Sequence, residues 1–298
     1  MKLKLVSNLA LLLSVLVLIG TAGALRAETI LHHVHGLAFT PDGKSLMVPA
    51  HIGLAVYRDG RWSKAPGPPH DFMGFSATKS ALYSSGHPAP ESPMRNPLGL
   101  MKSSDGGKTW QQLGLSGESD FHVMAAGHQS NVVYVINPEP NSRMPQAGVY
   151  LTRDDGKTWK RSTAKGLSER IAGIAVHPTH AGTVAVATLD GLYISRDSGA
   201  NFKRTGQQMA VTAVLFDLDG QHLYLAPAEG SVLHRIALDG KADARLALPK
   251  LERDFVLYIA QSPAKPDDLA IATRQRHVFL STDGGRTWKQ IAREGQDL

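Results

Sequence analysis

The 298-residue chain contains no cysteine. Thiolate metal sites, thiol catalysis and disulfide stapling are therefore excluded, and the fold is held without covalent cross-links. No basic run of five or more residues occurs either. The formal charge of +6 includes Lys2, Lys4 and Arg26, and without them 29 bases stand against 26 acids, a net +3. So small a balance provides no electrostatic footprint for nucleic acid. A second long apolar run is missing too. The single one covers residues 9–19, broken only by Ser14, after Lys2 and Lys4 and before the small residues Thr21-Ala22-Gly23-Ala24. It is short for a bilayer span and reads as a signal peptide over residues 1–27, cleaved after Ala24 or Ala27. The protein is accordingly expected to be periplasmic or secreted, meeting the membrane only through this segment if it stays uncleaved.

What the chain has in abundance is repetition. Ser103-Ser104-Asp105-Gly106-Gly107-Lys108-Thr109-Trp110 returns at residues 152–159 with Asp154 and Trp159, and at 281–288 with Asp283 and Trp288. A worn copy at 195–202 keeps Asp197 and ends on Phe202. The aspartates are 49, 43 and 86 residues apart, and 86 is two periods of 43. The missing mark falls on Leu238-Asp239-Gly240-Lys241, and a shortened one, Tyr57-Arg58-Asp59-Gly60-Arg61-Trp62, lies 46 residues before Asp105. Six marks imply six units. The octet chemistry suits a hairpin: Asp accepts bonds from its own turn, Gly supplies positive φ, and the aromatic packs between sheets. Strand patterns accompany each mark, at 35–39, 45–50, 53–58 and 61–64 in the first unit. The fourth unit has them at 171–176, 183–188, 191–196 and 201–204, and the last at 256–260, 269–273, 278–282 and 287–291.

These octets resemble the Asp-box, or BNR repeat, of the sialidases and related families. The chain is similar to bacterial sialidase-like or glycosylhydrolase-like proteins, to the photosystem II assembly factor and to sortilin-type propellers. The resemblance implies an all-β propeller over residues 28–298 with six four-stranded blades, or seven if 88–97 conceals strands. It also implies that the boxes are structural. Two sialidase features are wanting: no Arg-Ile-Pro segment is present near the N-terminus, and Arg170, Arg253 and Arg274 have no convincingly placed tyrosine.

Propeller topology converts position in sequence into position in space. The boxes join third to fourth strands on one face, while the opposite face near the axis is built from the starts of first strands and the ends of second strands. His33 and His35, Asp71 and Met73, and Asp120 and His122 begin the first three units, and period-two spacing sends each pair to one side. His51 and His87 end second strands. Ala172, Leu189, Glu229, Asp254 and Arg274 hold comparable places in the other three units, so the enrichment is one-sided. Two long loops, 86–97 with Met94 and 137–146 with Met144, leave the same face and can cover the opening.

A single loop histidine is commonly a surface residue and a single methionine a core filler. Five histidines at equivalent points, namely His33, His35, His51, His87 and His122, instead suggest a site for a metal ion or an anionic ligand. Imidazole and the Met73 thioether without thiolate favour copper over zinc. Asp71 and Asp120 are then acceptors that orient the rings. His128, His177, His180 and His222 fall near turns on the box face, and with His234 and His277 read as structural or solvated. Two alternatives stay open. A glycosidase requires two carboxylates, for which Asp71 and Asp120 are the leading pair, with Glu118 and Asp254 behind them. A scaffold would use the proline-rich loops to hold a periplasmic protein. No nucleotide or organic cofactor is expected.

Overall fold

The computed structural model describes residues 31–167, 170–239 and 242–298, and the signal peptide therefore lies outside the described residues. Each repeat is a separate antiparallel sheet whose strands neighbour one another in chain order. The innermost strands are Ala38–Phe39, Asp71–Ala77, Met124–Ala126, Ile171–Val176, Val211–Phe216 and Val256–Gln261. Five sheets have four strands, and the last adds a short fifth, Gln296–Asp297. The molecule is a six-bladed β-propeller. Residues 88–97 contain no strand, which removes the seven-blade alternative.

Strand alternation builds the core. In Val184–Thr188, Val184 and Val186 pack toward blade three, while Ala185 and Ala187 pack toward blade five. Leu269–Thr273 repeats this, with Leu269 and Ile271 facing blade five and Ala270 and Ala272 facing blade one. Successive side chains of a strand leave on opposite faces, so one strand supplies two seams. All six seams are filled in this way by clusters of buried apolar residues. The ring closes where Leu31 N donates to Gly295 O at 3.0 Å and Trp62 Nε1 donates to Ile291 O at 2.7 Å.

Four Asp-boxes share one pattern of bonds. The hydroxyls of Ser103, Thr152, Ser195 and Ser281 donate to Oδ1 of Asp105, Asp154, Asp197 and Asp283 at 2.7–2.8 Å. The backbone N–H groups of Thr109, Thr158, Asn201 and Thr287 donate to the same oxygens. Trp110, Trp159, Phe202 and Trp288 each pack on the seam with the preceding blade. The second glycine is obligatory: a Cβ at Gly107 would meet Leu54 at 2.7 Å, and φ there is +87°. The mark at 238–241 falls partly outside the described residues. In the first blade Asp59 and Gly60, both at positive φ, form a two-residue hairpin turn.

These bonds hold the four box carboxyls at about 2, well below the ordinary 3.8, chiefly through the Thr or Asn four residues on. A carboxyl lowered by folding stabilises the native state above its unfolded value, and loses that contribution as pH falls through its folded value. Asp105→Ala should therefore be less stable than the wild type by a constant margin above the ordinary carboxylate range. The margin should close as pH drops toward 2, as read from urea midpoints across pH. A margin independent of pH would mean that the carboxylate charge is irrelevant to the box.

Three strands begin two or more residues later than expected, one of them, Lys289–Arg293, also ending two residues later, and the other boundaries compared agree within one residue. The first innermost strand covers only Ala38–Phe39, because its register carried inward sets Gly36 against Pro49, which has no N–H to donate. The outer strands Lys203–Thr205 and Lys289–Arg293 begin two residues late, since Asn201 and Thr287 are held by the box aspartates.

Candidate functional site

The six innermost strands line an axial channel of about 320 Å³. Its walls are mostly apolar, from Leu37, Phe75 and Ile174 to Leu215 and Ile259, whereas His35, Met73 and His122 lie where the first three strands enter. The polar mouth is thus the face opposite the boxes, on the side of blades one to three.

The structure divides the five expected histidines into two groups. His33, His35 and His51 offer ligand atoms that all lie within 4.8 Å of one another. The His33 and His51 ring centroids are 4.1 Å apart, and His33 and His35 stack at 5.5 Å with 11° between their planes. His51 Nδ1 approaches Asp71 Oδ2 at 2.6 Å, so the carboxylate accepts the Nδ1 proton and orients the ring. His35 Nε2 is buried without a hydrogen-bond partner, 3.8 Å from Asp71 Oδ1, which is likewise buried and unpartnered. Burial pushes the His35 pKa down to about 4, which leaves the ring neutral at physiological pH. His33 is lowered as well, by burial and then by His51.

His87, Asp120 and His122 form the second group, their ligand atoms also within 4.8 Å. Asp120 Oδ2 lies 3.2 Å from His87 Nε2 and 2.6 Å from His122 Nε2. The bond to Asp120 raises the His122 pKa. Asn96 Oδ1 receives the Nδ1 proton of His87 at 2.7 Å, a partner missed in the sequence for want of any motif. Ser85 was missed likewise: its Oγ accepts the Phe121 N–H at 3.0 Å and so fixes the backbone between Asp120 and His122.

The methionines separate. Met73 is buried and lines the channel on the same face of its strand as Asp71. Met94 is half-buried in its loop. Met144 is a correction: it is wholly buried among Leu100, Leu115 and Tyr150, and so fills the seam between blades two and three instead of facing the opening. His177, buried, meets the Gly220 carbonyl at 2.8 Å with His180 beside it, in keeping with a structural role. Asp217, Asp219 and His222 also converge, but the Arg235 guanidinium sits among them at 2.9 Å from Asp217 and 2.8 Å from Asp219. That cluster is an ion-pair network, tied to blade six by Gln261.

Six blades, repeated boxes and a histidine-lined mouth define an Asp-box β-propeller. The BNR/Asp-box repeat model matches residues 279–290. A 63-residue stretch is 36% identical to a xyloglucanase of Hypocrea jecorina, covering 21% of this chain and 8% of that protein. Among solved structures, the GH74 xyloglucanase from Xanthomonas campestris matches 90% of this chain with a TM-score of 0.56 and 15% identity. The Niastella koreensis GH74 enzyme matches 87% with a TM-score of 0.58 and 15% identity. YCF48 bound to D1 peptide matches 86% with a TM-score of 0.50 and 17% identity, covering 80% of that chain. At such identities the likeness shows the fold alone. This chain spans 46% and 45% of the two GH74 chains and far less of the curated xyloglucanase.

Proposed function

We propose that the propeller binds a metal ion at the mouth of its channel, with His33, His35 and His51 as ligands and copper as the ion. The observation that carries this reading is the unpartnered, buried Nε2 of His35 among imidazole donors that converge within 4.8 Å. A buried polar atom without a partner costs about 1–3 kcal/mol, which a coordinated ion removes. Asp71 then orients His51 as a carboxylate orients a metal-bound imidazole. Three imidazole nitrogens suit copper or zinc. The divalent affinity order and the nearby Met73 thioether favour copper.

Purified apo-protein, exposed to copper and desalted, should retain the metal stoichiometrically by elemental mass spectrometry. The His35→Ala, His51→Ala variant should lose it, and Asp71→Ala should weaken uptake by about 10–100-fold. A protein that retains neither copper nor zinc would sink the reading.

The likeness to xyloglucanases supports a second reading, in which Asp71 and Asp120 on neighbouring blades are acid and base of a glycoside hydrolase. Xyloglucan cleavage that vanishes in Asp120→Asn, by a protein indifferent to copper, would put it first. The peptide held by YCF48 supports a third, with loops 86–97 and 137–146 gripping a protein segment. Residues 1–27 support export to the periplasm or beyond, which the intact mass of the exported protein checks.

A further inference from the structure

One arrangement occurs twice around the mouth, one blade apart. His51 follows the second strand of blade one and meets Asp71 at the start of blade two at 2.6 Å. His87 ends the second strand of blade two and meets Asp120 before blade three at 3.2 Å. Two residues beyond each aspartate stands a soft or nitrogen donor, Met73 in one case and His122 in the other. The His and Met residues of the mouth are therefore two sets in neighbouring blade positions, and the second set has its own convergence point.

We infer that His87, Asp120 and His122 form a second centre for a divalent transition metal, separate from the first; this rests on the reading of the mouth as a metal site. The geometry around Asp120 supports a cation. Asp120 Oδ2 has a ring nitrogen on either side, His87 Nε2 at 3.2 Å and His122 Nε2 at 2.6 Å, and the three residues offer ligand atoms within 4.8 Å of one another. Asn96 Oδ1, 2.7 Å from His87 Nδ1, holds the His87 ring with its other nitrogen toward Asp120. A metal ion accepts from all three atoms at once. Asp120 Oδ1, buried and without a partner, retains capacity for a second contact.

The two donor sets differ in character. The first is three imidazoles near a thioether. The second is two imidazoles and a carboxylate, a harder set with an open position left for water. The divalent affinity order puts copper above zinc at both sets, so the centres are told apart by removing their ligands.

The test uses the whole exported protein, stripped with chelator and incubated with excess copper before desalting and elemental analysis. Two ions per chain are expected. His87→Gln with His122→Gln should hold one, His35→Ala with His51→Ala should hold one, and the fourfold variant should hold none. Both histidines of the second set are at least partly exposed, and circular dichroism confirms that the variants stay folded. One copper per chain, lost in the His35→Ala, His51→Ala variant, would overturn the second centre while leaving the first. Two ions held by the His87→Gln, His122→Gln variant would overturn it too, and retention of no metal at all would remove both centres together.

Discussion

Phe121→Ala should destabilise the propeller by about 3–5 kcal/mol, the range for truncating a buried phenylalanine. The side chain is fully buried between blades two and three, with its ring centroid 5.9 Å from that of Trp159. Leu100, Leu115, Met144 and Tyr150 pack in the same cluster, all of them fully or almost fully buried, so the seam has little freedom to collapse into the space left behind. Against a total of about 5–15 kcal/mol for a typical domain, the loss is large. Urea unfolding should show a lower midpoint with an unchanged slope, because the surface exposed on unfolding is nearly the same. Phe121→Leu keeps most of the volume and should retain most of the stability. A shift in Phe121→Ala below about 1 kcal/mol would mean that the seam is loosely packed. Since Phe121 separates Asp120 from His122, the substitution should also lower metal uptake from two ions per chain toward one.

The second large effect is expected at the closure of the ring, from Gly295→Ala. A Cβ at Gly295 would lie 2.1 Å from the Leu31 carbonyl oxygen, and φ is +83°. The left-handed conformation costs an alanine about 1–2 kcal/mol. The clash is with backbone, so no rotamer change relieves it, and the Leu31 to Gly295 hydrogen bond is strained as well, at about 0.5–1.5 kcal/mol. Gly60→Ala provides the control, because φ is +81° there and no atom lies within 4 Å of the added carbon. It bears the conformational cost alone. Thermal melts should place Gly295→Ala clearly below Gly60→Ala, and equal melting temperatures would show that the two ends are not latched where the structure joins them.

The boxes made the architecture legible before any coordinates. Asp105, Asp154, Asp197 and Asp283 recur at one period, and a propeller maps period directly to angle around an axis. The same map placed His33, His35, His51, His87 and His122 at one mouth, because strand ends in a propeller have fixed addresses. Hidden from the sequence was the division into two sets, which depends on which ring each aspartate holds across a blade boundary. Asn96 was hidden for the same reason, since it reaches His87 from the far side of a loop. Met144 shows the opposite failure: in a long loop it resembled a ligand, yet the loop folds inward and buries it completely. Strand starts were misplaced by local chemistry, through the missing N–H of Pro49 and the aspartates that hold Asn201 and Thr287.

The two-sided second strands also set the terms on which this molecule can diversify. Inserting one residue among Val184, Ala185, Val186 and Ala187 would exchange the large and small contributions to two seams at once. Length variation is thereby barred from the walls and diverted to the turns at the mouth. The loops 86–97 and 137–146 are the long connections on that rim. New recognition can be acquired there by lengthening a turn, while the frame beneath it changes only by whole repeats.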